Sequence, residues 1–212
     1  MFDNIMVLVN APVFNIQLLL DGLFIGATYA LAAYGLALVW GVMNVKNLAQ
    51  GDFVIMGGYI AWWLGTKGIH PLWGLPVAIV FMFGFGWFIY VTIIRRVIDK
   101  ELFTSLLATF GLAMVLAQVL NLLFGPEVQS ANADFPILSL FDNAVTLAQI
   151  KIIALLLCGL LALAVVLFMK KSRMGQAIRA TAQDARAARV MGINTDMVYA
   201  FTFSLNAAIC GA

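Results

Sequence analysis

The sequence predicts an all-α, polytopic helical membrane protein with about six transmembrane or re-entrant segments, and three observations carry that prediction. Hydrophobic residues make up 64% of the 212 positions and charged residues only 10%, against roughly 25% charged in a soluble domain. The mean hydropathy is +1.01, more apolar surface than one water-soluble core of this size encloses. The apolar residues also fall in runs of the roughly 20 residues that cross a hydrocarbon core. Intrinsic disorder, which needs low hydrophobicity and high charge, is excluded.

Five runs read as spans. Residues 16 to about 40 carry only Asp21 near the start, and residues 72–94 carry no charge. Residues 106–124 have Thr109, Gln118 and Asn121 as their polar members, and residues 152–169 are almost entirely Leu, Ala, Val and Ile. The last run starts near Val198 and reaches Ala212. A sixth segment, residues 46–64, has polar residues first and then about a dozen apolar ones interrupted by Gly57 and Gly58. It fits either a broken or re-entrant helix lining a cavity or an ordinary span with a polar entry loop.

Basic residues set the orientation. Arg95, Arg96 and Lys100 follow one span, and Lys170, Lys171, Arg173, Arg179, Arg186 and Arg189 follow another, so both loops are expected on the cytoplasmic side. Residues 125–149 hold Glu127, Asp134 and Asp142 without a basic residue, so they belong outside, as does the N-terminus with Asp3. With the first basic residue at Lys46, no charged n-region of a signal peptide is present.

Chemistry of other classes finds little support. Cys158 and Cys210 lie in apolar runs and read as small buried hydrophobes. His70 has no partner for a catalytic or zinc site, so no catalytic or metal-binding residues are expected, and a net charge of +2 gives no ground for a nucleic-acid partner. No GxxxxGK[ST] loop occurs, so any nucleotide energy must come from another chain. A secondary carrier would need an internal repeat and buried carboxylates; Asp52 is the one candidate. A channel would need a selectivity-filter segment, and none is recognisable.

The loop reading KKSRMGQAIRATAQDARAARVMGINTDMVY is the most informative segment. Small residues at helical spacing fit two short helices broken near Gln183–Asp184, with Gly192 as a C-cap and Asn194 or Thr195 capping the next helix. A small-faced helix admits a close partner surface; a basic amphipathic helix could instead lie on anionic lipid.

The order of residues here resembles the cytoplasmic loop of LivH-type permeases, the membrane subunits of branched-chain amino-acid ABC importers, with the pattern SRMGRA-RA-A-D---A---GIN-D. The segment QLLLDGLFIGATYALAAYGLALVWGVMNVKNLAQGDFVIMGGY is similar to a second stretch of that family. The resemblance implies a single permease domain over residues 1–212 in a bacterial inner membrane. Its implied partners are two ATP-hydrolysing subunits, a homologous second permease and a periplasmic substrate-binding protein; ATP is used by the partners, and this chain binds no cofactor.

Carried onto this sequence, the ATPase-docking loop is residues 170–197. Its docking element is residues 184–192, with Asp184, Ala187, Ala188 and Gly192; bulky or charged replacements at Ala187 or Ala188 are expected to abolish coupled uptake without preventing insertion. The second motif suggests a translocation pathway at Asn47, Gln50, Gly51 and Asp52. The family usually has His where this chain has Gln50, which removes a proton-linked role and leaves hydrogen bonding. Asp52 is either a pathway carboxylate or a helix cap. Gly22 and Gly26 form a small-xxx-small stripe suited to helix packing, Trp62, Trp63 and Trp73 fit an interfacial belt, and Lys151 can snorkel to the same interface.

Substrate selection is left between branched-chain or related hydrophobic amino acids and urea or short amides, whose permeases share both motifs. The chain stops about 15 residues into its last apolar run, where a carboxylate would be costly. An incomplete permease, its last segment cut off, is therefore expected.

Overall fold

The computed structural model describes residues 12–69, 73–125, 127, 137–140 and 145–212. Asp3, His70, Asp134 and Asp142, and Leu72 at the expected start of a span, lie outside them. In order, the elements are α1 (Pro12–Met43), α2 (Gln50–Thr66), α3 (Gly74–Ile89), α4 (Leu102–Phe124), β1 (Ile137–Leu140), β2 (Val145–Ala148), α5 (Gln149–Lys171), α6 (Arg173–Gln183), α7 (Ala185–Val190) and α8 (Thr195–Cys210). Helix α3 runs on through a π turn, Tyr90–Ile94, and a final turn, Arg95–Val97.

Among the described residues four helices are long and apolar enough to cross a membrane: Asn15–Met43, Gly74–Val97, Leu102–Phe124 and Gln149–Lys171. Helix α2 has 17 residues, about 25 Å of rise, and falls short of a full crossing; α8 is described over 16 residues. Gly57 and Gly58 do not break α2. The irregular part of that segment is its entry, where Asn44 takes φ 53° after α1, the left-handed cap position that Asn tolerates. Outside the helices, β1 and β2 pair antiparallel with Ile137 opposite Ala148 and Leu140 opposite Val145, a hairpin the all-helical expectation did not contain.

The chain forms two compact units, 1–31 with 133–163 and 32–132 with 164–212. Two of the three boundaries fall inside helices, α1 and α5, and the third lies outside the described residues. In the first unit, Lys151 Nζ pairs with Asp21 Oδ1 at 2.7 Å. Each charge thereby gains a partner within an apolar helix, and Lys151 has a use beyond reaching the interface.

In the second unit, α3 and α8 pack antiparallel. Met82 faces Gly211, Gly86 faces Ser204 and Ala207, and Arg95 pairs with Asp196 at 3.0 Å. Helix α8 is the most enclosed element, with Thr202, Phe203, Ser204, Asn206 and Ala207 all fully buried. Phe53 of α2 sits edge-on to both Phe85 and Phe203, at 6.1 and 6.0 Å between centroids, joining α2 to both helices of this pair. The Arg95–Asp196 pair is half exposed and worth about 0–1 kcal/mol; the apolar contacts hold the helices together.

The glycines that permit this closeness are Gly57, which abuts the Gly211 backbone, and Gly86. A Cβ at Gly86 would stand 2.7 Å from that of Ala207 and 2.9 Å from Ser204 Cα. Gly22 and Gly26 have no packing role among the described residues: a Cβ at either meets none of them within 4 Å. Their stripe is exposed, because the close helix approaches are made in the other unit. Replacing Gly86 with Val should therefore destabilise the chain by about 1–3 kcal/mol through overpacking, whereas Gly22→Val should change little. Chemical unfolding in detergent micelles checks both; equal losses would contradict the assignment.

Candidate functional site

The turn between α1 and α2 lies at the depth of the spans. Thr109, roughly two turns or about 10 Å into α4, donates its hydroxyl to Lys46 O at 2.9 Å. Val45, Asn47 and Ala49 are all buried. Irregular backbone at membrane depth is tolerated only where protein satisfies its polar groups. Here Thr109 serves Lys46, and Asn47 Oδ1 accepts from Ala49 N at 3.1 Å. Asn47 thus closes a local turn that starts α2, whose N-cap position is Ala49 without a side-chain cap.

Gln50, the first residue of α2, reaches into a cluster that spans three helices. Its Nε2 donates to Ala32 O of α1 at 3.0 Å and to Asn206 Oδ1 of α8 at 3.1 Å. Asn206 Nδ2 donates back to Gln50 Oε1 at 3.0 Å, so the two amides form a reciprocal pair. Cys210 Sγ lies 2.6 Å from Gln50 Nε2, and Asn47 Nδ2 is 3.5 Å from Gln50 Oε1. An amide nitrogen has two hydrogens, and three acceptors compete for those of Gln50, so this cluster has more than one satisfied arrangement. Gly35 of α1 leaves the room: a Cβ there would collide with Asn206 Oδ1.

Of the four expected pathway residues, the structure brings Asn47 and Gln50 together. Gly51 is exposed with open space beside its Cα. Asp52 lies in the first turn of α2, where the helix dipole favours its charge, and it does not cap the helix. Sequence reasoning missed Asn206 and Cys210. The one signal for them was a lone Asn in the last apolar run, which carries the same cost as any polar residue at membrane depth.

The basic loop folds as the sequence predicts locally. Ser172 caps α6 by accepting from Gly175 N at 2.8 Å. Asp184 caps α7 by accepting from Arg186 N and Ala187 N at 2.8 and 3.0 Å, and Asn194 caps α8 through Met197 N. Gly192, at φ 84°, ends α7. Its N–H donates to Arg189 O and that of Ile193 to Ala188 O, both at 3.0 Å, the paired bonds of a Schellman motif. The apolar side of α6, with Gly175 and Ile178, is buried against this chain, which leaves that side unable to enter lipid.

Helix α7 presents a different face from the one expected. Ala188 is buried, so its methyl packs inward, while Ala187 is exposed and Val190 and Met191 are 88% and 81% exposed. The sequence does not single out Val190 and places Met191 only at helical spacing with Ala188, because one turn of helix carries too little periodicity to fix its face. Two backbone donors hold the Asp184 carboxyl below its ordinary value of 3.8.

Two outcomes follow. The Asp184 cap contributes fully above the ordinary carboxylate value and is lost as pH falls through the lowered one. Protection of the Arg186 and Ala187 amides, corrected for intrinsic exchange, should persist from neutral pH to about 4 and vanish in Asp184→Ala at any pH. Gly35→Ala should destabilise by about 1 kcal/mol or more by displacing the Asn206 amide. That penalty should shrink in an Asn206→Ala background, measured as unfolding free energies.

The sequence comparisons agree with this architecture. A family model described as branched-chain amino acid transport system / permease component matches residues 18–212. The high-affinity branched-chain amino acid transport system permease protein LivH of Escherichia coli K12 is 30% identical over 92% of this chain and 67% of its own length. Permease BraD of Pseudomonas aeruginosa is 27% identical with the same coverages. A probable LivH of Methanocaldococcus jannaschii is 29% identical over 92% of this chain and 64% of its own. No solved structure matches the chain significantly. With the match covering nearly every described helix, the chain belongs to the branched-chain amino acid transport permease family.

Proposed function

We propose that the chain is the membrane-spanning permease subunit of an ATP-driven importer of branched-chain or related hydrophobic amino acids. It sits in the bacterial inner membrane with its N-terminus on the periplasmic side. It works by alternating access with two separate ATP-hydrolysing subunits, a second homologous permease and a periplasmic binding protein, and binds no nucleotide itself. The family match and the relatives' names support the substrate class. One structural observation supports the mechanism. Helix α7 is a capped, outward-facing turn that leads through the Asn194 cap directly into α8, and α8 is bonded to α2 through Asn206 and Gln50.

In this reading the exposed face of α7, formed by Ala187, Val190 and Met191, seats on an ATPase subunit. Asp184 and Gly192 hold the turn rigid, so displacement of α7 is carried along α8 rather than absorbed. Asn47 and Gln50 then border the translocation pathway, with Gly51 and Asp52 beside them. Loss of one bond in the Gln50 cluster can be met by another, which suits a joint that must exist in two arrangements.

Val190→Asp and Met191→Asp should each lower uptake of labelled leucine by about tenfold or more, as for a central contact in an interface, while membrane insertion is unchanged. Ala188→Asp would instead report on packing, since that methyl is buried. Normal uptake in both α7 variants would remove the docking assignment. Loss of urea uptake, with leucine uptake intact, in cells lacking the gene would overturn the substrate class.

A further inference from the structure

A second feature of the helix pack belongs to neither the polar cluster nor the α7 turn. Helices α2 and α4 are held together at two levels and gape between them. Toward the start of α2, Thr109 bonds Lys46 O at 2.9 Å. Toward its end, the ring of Tyr59 stacks on Phe124 at 4.2 Å between centroids, with Trp62 edge-on to Phe124 at 6.0 Å. The seam between these pins is a cavity of about 690 Å3, walled by Met56 and Ile60 on one side and Leu116 and Leu120 on the other, with Phe85 behind. It opens sideways past Phe81 and Val119, which are 53% and 45% exposed.

The chemistry of the seam narrows its occupant. Among the described residues none of its lining side chains is charged, so the ammonium and carboxylate of an amino acid would be buried there without partners, at high cost. A helix is about 10 Å across and cannot run along a seam pinned at both levels. A single hydrocarbon chain can enter from the side. The lined stretches, Met56 to Trp63 and Leu116 to Phe124, rise about 10–12 Å, close to the roughly 15 Å depth of one leaflet's hydrocarbon. At the Trp63 end an exposed cation is in place: Lys67 Nζ lies 5.7 Å from the Trp63 ring centroid, at the level where aromatic rings mark the headgroups.

We propose that this seam is a lipid site that holds one acyl chain of an anionic phospholipid, with the headgroup phosphate beside Lys67. The chain fills the space between α2 and α4 that no described side chain occupies. Lys67 and the Trp63 ring set the headgroup depth, and the Tyr59–Phe124 stack closes the seam beneath them. Lipid so placed supports α2 beside its Phe53–Phe85 contact and leaves the Gln50 cluster untouched.

The test uses the full chain in phosphatidylcholine vesicles doped with phospholipid brominated on its acyl chains, since bromine quenches tryptophan on contact. The signal of Trp62 and Trp63 is the difference between the parent chain and the Trp62→Phe/Trp63→Phe variant. Brominated phosphatidylglycerol should quench that signal about fivefold more effectively than brominated phosphatidylcholine at equal mole fraction, the preference one lysine gives an anionic lipid. Lys67→Gln should bring the two lipids level. Phosphatidylglycerol retained on the detergent-solubilised chain in native mass spectra should likewise fall in Lys67→Gln, a readout that leaves the tryptophans intact. Equal quenching by both lipids in the parent chain would overturn the proposal. So would shielding from both lipids together with a disulfide between two copies carrying Leu123→Cys, which would place a second copy in the seam.

Discussion

The reciprocal amide pair between Gln50 and Asn206 is the constraint on which the rest of the larger unit depends. It is the point at which α1, α2 and α8 are tied by directional bonds rather than by apolar contact. In a bilayer the hydrophobic effect does not drive one helix against another, so packing and hydrogen bonds must do it. An interhelical hydrogen bond there is worth about 0.6 kcal/mol on average, but an amide left bare at that depth costs several. The pair is therefore worth most through what its absence would expose. Gly35 and Gly57 then follow as requirements: one leaves room for the Asn206 amide, and the other lets α2 reach the backbone at the end of α8.

The same constraint accounts for a helix, α2, that begins from a buried turn level with the second turn of α4. The buried turn from Val45 to Ala49 is stable because Thr109 and Asn47 satisfy its backbone and Gln50 anchors the helix that follows. Helix α8 is held at its other end by Tyr90 and Arg95, which both engage Asp196, and beyond that by its Asn194 cap. A displacement at α7 thus meets a short, buried rod with polar fastenings at both ends.

Much of this was legible in the sequence, for identifiable reasons. The spans were, because an apolar run of membrane length is stable in few settings besides a bilayer. The break at Asp184, the cap at Gly192 and a cap at Asn194 or Thr195 were too, since capping depends on one residue type at one position and needs no tertiary partner. What the sequence hid was orientation within a turn and pairing across distance. Ala188 and Met191 are three residues apart, and only tertiary packing decides that one is buried and the other bare. Gln50 and Asn206 are 156 positions apart, and nothing local joins them. The stripe of Gly22 and Gly26 shows the reverse case: a pattern suited to packing, with no neighbour among the described residues placed against it.

The most direct test of the joint is a double-mutant cycle on Gln50→Leu and Asn206→Leu, with unfolding free energies measured in bicelles. Gln50→Leu strands the buried Asn206 amide, Asn206→Leu removes the reciprocal partner of Gln50, and the double variant leaves neither amide facing an apolar replacement. The two changes should therefore be strongly non-additive, with a coupling energy of about 1 kcal/mol or more and a double variant more stable than the sum of the single losses allows. Additive losses, with no coupling, would mean that the two amides do not hold α2 to α8.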